Sequence, residues 1–145
     1  MGDYNATTLG DPANAPAGTW GNVYKAEGQV TIPAAAAAGA TVDFAEIPRG
    51  ARVFDAYAVH DGAATNAATL ELGLKGKTGT SQDDADYFYA ATALNAAARK
   101  HQDNAAVLPV TLDEAHYVRG TTAAATPGAD TVVTVVVLYE YTGTK

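Results

Sequence analysis

The stretch Asp130–Tyr141, "DTVVTVVVLYEY", runs through β-branched and aromatic residues almost without interruption. Such side chains lose rotamer freedom in a helix and pack well on a pleated surface, so the segment reads as a strand. Val132 to Leu138 is apolar at both phases of the pleat, with Tyr139 and Tyr141 in phase with the odd-numbered valines. A strand with one wet face would alternate, so this pattern predicts a central strand covered on both sides.

Working outward, "ARVFDAYAVH" (Ala51–His60) places Val53, Asp55, Tyr57 and Val59 on one face and Phe54, Ala56, Ala58 and His60 on the other. It reads as a second central strand. "ATLELGL" (Ala68–Leu74) alternates Leu70, Leu72 and Leu74 against Thr69, Glu71 and Gly73, a strand with one wet face. The turn chemistry of "DGAATNA" between the two predicts that they pair as a hairpin.

"NVYKAEGQVTIP" and "ATVDFAEIP" read as further strands closed by Pro33 and Pro48. The alanines of "AAAAAG" (34–39) favour helix, but the run is far below the ~12–15 residues an isolated helix needs. It reads as a tight connector, with a short helical turn as the alternative. "KGKTGTSQDDAD" is a polar loop, and "YFYAATALNAAARKHQ" (87–102) admits a short helix, since Phe88, Ala91, Leu94 and Ala98 recur at helical spacing. In "AVLPVTL", Pro109 confines any strand to an edge or bulge, and "AHYVRGTTAA" carries Tyr117 and Val118 into another strand.

Roughly seven to nine short strands separated by Gly, Pro, Asn and Asp turns predict an all-β, antiparallel β-sandwich, a jelly roll before a barrel. No period of ~20–50 residues recurs, so a solenoid or propeller is not supported. Residues 1–18 hold Gly, Ala, Pro, Asn and Asp with only Tyr4 and Leu9 as sizeable apolar groups, too few to offset their ordering entropy. The expected organisation is an extended N-terminal arm over 1–18 and a single sandwich domain over 19–145.

The chain has 145 residues, enough for one core. Its 48% hydrophobic content overstates core-forming capacity, because alanine supplies about half of it and adds far less on burial than Val, Leu or Phe. A net charge of −7, with nine scattered Lys and Arg, argues against direct binding of nucleic acid. Without cysteine there is no disulfide, thiolate nucleophile or Cys-based zinc site. The N-terminus lacks a basic start followed by an apolar run, and no apolar stretch nears the ~20 residues of a membrane helix. The expectation is a soluble, unprocessed chain. Ala6 stands where a myristoylation signal needs Ser or Thr.

Candidate chemistry is thin. Asp83, Asp84 and Asp86 offer hard oxygen ligands, but the EF-hand glycine and terminal glutamate are missing; a solvated loop, or helix caps at Asp84 or Asp86, explains them. His60, His101 and His116 lack zinc-ligand spacing. His60-Asp61 and Ser81, the only serine, could be assembled into a triad on paper, yet Ser81 lacks the G-x-S-x-G elbow. Glu46, Glu71, Asp113 and Glu114 lie by turns or on wet faces, where solvation accounts for them. Trp20, Tyr87 and Tyr89, if on loops, could stack on sugars; a subunit interface is the plainer use. The reading is a protein with no catalytic, cofactor or metal residues.

The stretch "EIPRGARVFDAYAVHDGAATNAATLELGL" (Glu46–Leu74), the segment "DADYFYAATAL" and the closing "DTVVTVVVLYEY" resemble the head-decoration, or cement, proteins of tailed bacteriophages. The resemblance covers about Val30 to Tyr141 and rests on strand and turn idioms. It implies a β-sandwich, often a jelly roll, on the outer capsid surface of the virion, made in the host bacterial cytoplasm. Its partners would be the major capsid protein and copies of itself as dimer or trimer, with no nucleic acid, membrane or cofactor. Tyr4, Leu9 and Trp20 would belong to the capsid contact. A glycan- or host-surface-binding sandwich associated with the tail is the alternative.

Overall fold

The computed structural model describes residues 3–5, 23–103 and 110–141. Ten strands follow one another: β1 (Asp3–Asn5), β2 (Val23–Ile32), β3 (Thr41–Ile47), β4 (Ala51–His60), β5 (Thr69–Gly76), β6 (Asp84–Ala93), β7 (Ala98–His101), β8 (Val110–Thr111), β9 (His116–Ala123) and β10 (Thr131–Tyr141). They form two sheets, ordered β1-β3-β9-β5-β6 and β2-β10-β4-β7, with β8 pairing the start of β4. Every pairing is antiparallel except β1 with β3, where Tyr4 lies opposite Val42 in parallel register. The all-β sandwich expected from the sequence is the fold observed.

β10 lies between β2 and β4, the central position its composition demands. Its odd-numbered residues Val133, Val135, Val137 and Tyr139 enter the core between the sheets. There they meet Ile32, Val42, Phe44, Ile47, Leu70, Leu72 and Phe88, all fully buried. Alanines at positions 26, 56 and 58 fill the inner faces of β2 and β4 beside them. Each large aliphatic side chain contributes roughly 1.5–3 kcal/mol by leaving water, and the alanines far less.

Three local expectations change. Ala51–His60 and Thr69–Gly76 do not pair as a hairpin: β4 bonds β10, β7 and β8, whereas β5 bonds β6 and β9 in the opposite sheet. Residues 61–68 therefore cross between sheets, and β4 pairs with the longest apolar strand among the described residues, β10. Residues 87–102 hold no helix; they continue β6, turn at 94–97 and form β7. Tyr87, Phe88 and Tyr89 are all buried against the core, and that burial outweighs the helix propensity of the alanines. In β4 the alternation breaks, because the register against β10 slips between Leu138 opposite Asp55 and Tyr139 opposite Val53. Phe54 is the extra residue of this bulge, so Val53 shares the inner face with Ala56, Ala58 and His60 instead of with Tyr57.

The 34–39 segment is a turn, as expected, held by the Ala36 amide on the Pro33 carbonyl and the Gly39 amide on the Thr122 carbonyl. One side of the sandwich closes where β2 approaches β3 so tightly that a Cβ on Gly28 would fall 1.7 Å from the Phe44 carbonyl oxygen. The opposite side closes through residues after β7, where the Gln102 amide bonds Ala56 and the Asp103 amide bonds Phe88, one in each sheet. Among the described residues no helix is long and apolar enough to cross a membrane.

Candidate functional site

The densest polar constellation joins the loop after β5 to the loop before β9. Asp83 accepts from Lys75 and, at 2.5 Å, from the Gly76 amide. Partial burial works to raise the Asp83 pKa, but these two donors outweigh it and hold the carboxyl below its ordinary range. Glu114 Oε2 accepts from the Thr78 hydroxyl at 2.7 Å and from the Thr78 and Gly79 amides at 3.0 and 2.8 Å. The Thr78 hydroxyl leads in lowering its pKa. The carboxylate fits because Gly76 has no Cβ, which would stand 2.3 Å from Glu114 Oε1. Ser81 donates to Asp113, whose amide bonds the Gln82 side chain at 3.0 Å. His116, fully buried, sets its ring nitrogens 2.9 Å from the Glu114 carbonyl and 3.1 Å from the Ser81 carbonyl.

Asp113, Glu114 and His116 each bring a ligand-type atom within 4.8 Å of the others. Glu114 Oε2, Asp113 and the His116 ring are engaged in holding the two loops together, while Glu114 Oε1 is buried without a hydrogen-bond partner. Ser81 is likewise no nucleophile here: its hydroxyl is turned to a carboxylate, and His116 meets its carbonyl rather than its hydroxyl. The arrangement is a side-chain lock on two loops.

The remaining sequence candidates disperse. His60 ends β4 in the second sheet, 2% exposed, with no protein partner for either ring nitrogen, and burial lowers its pKa. It does not join Ser81. His101 sits on β7 beside Tyr57, their ring centroids 5.5 Å apart. Asp84 and Asp86 open β6 rather than a helix, and the Asp86 carboxyl, hydrogen-bonded to Asp84, raises the Asp84 pKa. Tyr87 and Tyr89 are buried, not offered to a sugar; desolvation pushes Tyr87 up to about 12 and raises Tyr89 as well. Glu46 is paired with Lys77 at 2.9 Å. Tyr4 lies in β1, while Leu9 and Trp20 fall outside the described residues.

The two outer faces differ. On the first sheet, Thr69, Glu71 and Lys75 of β5 stand beside Tyr117, Arg119 and Thr121 of β9. Arg119 grips Asp43 with two bonds, 2.6 and 2.7 Å. A cavity of about 220 Å³ opens here, lined by Leu74, Lys75, Asp83, Asp84, Arg119 and Thr121, with its cations already paired. On the second sheet, Val136 is only 4% exposed yet lies outside the core cluster, opposite Tyr57 across the ladder. The Arg99 guanidinium stacks 3.9 Å from the Tyr57 ring. The apolar even phase of β10 is the sequence signal for this face, read in advance as a strand covered on both sides.

No protein-family model matches the sequence, and no curated protein sequence does. Solved structures do share its fold. A chain from the capsid of Ralstonia phage GP4 aligns with a TM-score of 0.77 at 18% identity, over 99% of this chain and 100% of that one. A chain from the capsid asymmetric unit of cyanophage Pam1 aligns at 0.58 and 24% identity, over 90% and 93%. One from the acid-stable capsid of Helicobacter pylori bacteriophage KHP30 aligns at 0.56 and 15% identity, over 81% and 87%. The protein therefore has the fold of chains found in these phage capsids.

Proposed function

We propose that this protein is a structural component of a tailed-phage virion: a decoration or cement protein that binds the outside of the head across major capsid protein subunits and stabilises the shell. The observation that carries this reading is the full-length correspondence with a GP4 capsid chain, 99% of one against 100% of the other. It supports a role among capsid proteins, because the whole described fold and not a shared substructure is what corresponds. Setting β1 and β8 aside, the strands in chain order fall into sheets as first-eighth-third-sixth and second-seventh-fourth-fifth, an order that supports the jelly-roll form.

The lock of Glu114, Asp113 and His116 on its loops supports a rigid scaffold without catalysis. A shell component acts through surface, and many copies of a modest contact sum by avidity. The arm, residues 1–18, with Tyr4, Leu9 and Trp20 at its apolar points, would bind a neighbouring subunit, its ordering cost offset by reach. Net charge of −7 keeps the free protein soluble before assembly in the host cytoplasm.

The test is to mix purified protein with capsids lacking it, sediment them, and measure copies bound and the temperature of DNA release. Saturable binding in fixed ratio to the major capsid protein, with a higher release temperature, is expected. No binding would overturn the reading; full occupancy by a chain lacking residues 1–20 would overturn the arm's part in it.

A further inference from the structure

The sequence holds sixteen Asp and Glu against nine Lys and Arg, so a cation has acids to choose from. Lys25, Arg52, Lys75, Lys77, Lys100 and Arg119 each pair with an acid of the chain itself. Among the described residues, Arg49 and Arg99 are the two basic side chains that make no such pair. Arg49 stands exposed in the turn between β3 and β4. Arg99 differs from it in being fixed in place. It lies exposed on β7, the outermost strand of its sheet, opposite Val59 of β4. Its guanidinium reaches diagonally across the ladder to stack 3.9 Å from the centre of the Tyr57 ring. His101, opposite Tyr57, sets its own ring 5.5 Å from the same centre. Val59, between them in the row of Arg99, is 42% exposed.

We propose that Tyr57, Val59, Arg99 and His101 form a docking patch that receives a carboxylate of a capsid subunit, set beside an apolar side chain. The proposal rests on the capsid-binding reading above and adds a contact separate from the N-terminal arm. Stacking on Tyr57 covers one face of the guanidinium plane and fixes its direction, while the N–H donors at its rim meet no carboxylate of this chain. A carboxylate accepts from such a fork through two parallel bonds. Because the stacked side chain is already ordered, little rotamer freedom is left to lose when the acid arrives. Val59 offers the apolar contact that keeps water from that pair, and an aromatic with an arginine is the combination enriched at the centre of protein contacts. No described strand lies beyond β7, so a partner can approach. A net charge of −7 repels a polyanion such as nucleic acid, whereas one carboxylate on a protein surface meets the local cation at close range.

The test titrates the full chain onto capsids lacking it and reads bound copies by sedimentation at each concentration. Wild type is expected to saturate. Arg99→Ala should raise the apparent dissociation constant about tenfold, and Arg99→Glu, which opposes two like charges, more than about a hundredfold. Arg99→Lys keeps the charge but loses the fork and the stack, and should fall between wild type and Arg99→Ala. Arg49→Ala removes the same charge from an exposed turn and should bind like wild type. Added salt should weaken wild type more than Arg99→Ala. All four variants should melt with wild type, since both arginines are exposed. A wild type that does not bind overturns the capsid reading and the patch with it. A wild type that binds while Arg99→Ala and Arg99→Glu bind as tightly overturns the patch and leaves the capsid reading standing. Equal losses in Arg49→Ala and Arg99→Ala also overturn the patch, by tracing the effect to net charge.

Discussion

On the first sheet the outward residues of β5 and β9 are Thr69, Glu71, Lys75, Tyr117, Arg119 and Thr121; on the second, β10 presents Val132, Thr134, Val136 and Leu138. Both faces turn away from the same core, and both belong to central strands. The inward phase reports only that a core exists, since Leu70, Leu72, Val133 and Val135 are alike in being fully buried. It is the outward phase that differs: polar and charged over the first sheet, mainly apolar along β10 of the second.

Substitutions on either side of one strand would break this contrast most severely. Val135→Asp, on the inner phase of β10, places a charge among fully buried side chains. It should cost at least about 4 kcal/mol and leave the chain largely unfolded by circular dichroism. If the variant melts like wild type, the inner phase has been assigned wrongly.

Arg119→Ala is next in size. It leaves Asp43, 7% exposed, without its two-bonded partner on the wet face. A loss of about 2–3 kcal/mol is expected, below the cost at a fully buried pair because Arg119 keeps some solvent contact. Thermal melting should register it as a drop of roughly 5–10 °C.

His60 gives a smaller, pH-dependent effect. Its folded-state pKa is lowered by burial, so above pH ~6.5 both states are neutral and nothing changes. As pH falls below that value the unfolded chain takes up a proton that the folded chain resists, and stability declines by up to about 1.4 kcal/mol per pH unit until the folded pKa is reached. Denaturant titrations between pH 7.5 and 5 should show this slope, and His60→Leu should flatten it. An unchanged slope in the variant would assign the acid sensitivity to other groups.

The smallest change sharpens the comparison from the wet side. Glu71→Ala or Thr121→Ala should alter stability by no more than about 0.5 kcal/mol, read as a nearly unchanged thermal melt, in contrast to Val135→Asp on the inner phase.

The loop lock was only partly legible. Asp83, Ser81, Asp113, Glu114 and His116 can all be picked out as polar residues, but the strand order alone brings residues 75–83 to 113–116. The pairing of Asp83 and Glu114 with backbone amides, which makes them structural, depends on the turn that Gly76 and Gly79 permit. The buried places of Tyr87 and Tyr89 were missed because three consecutive aromatics fit no single period, and bulges between β5 and β6 bury them together.

From the sequence alone came the all-β class, the central place of Asp130–Tyr141 and the 34–39 turn, because each follows from local propensity or side-chain period. Tertiary structure decided that β4 and β5 part into opposite sheets, that Phe54 bulges and reverses the phase of β4, and that the valines of β10 divide between a core and an outer face. Those outcomes depend on which strands bond across the ladder, a choice among long-range partners that no window of neighbouring residues contains.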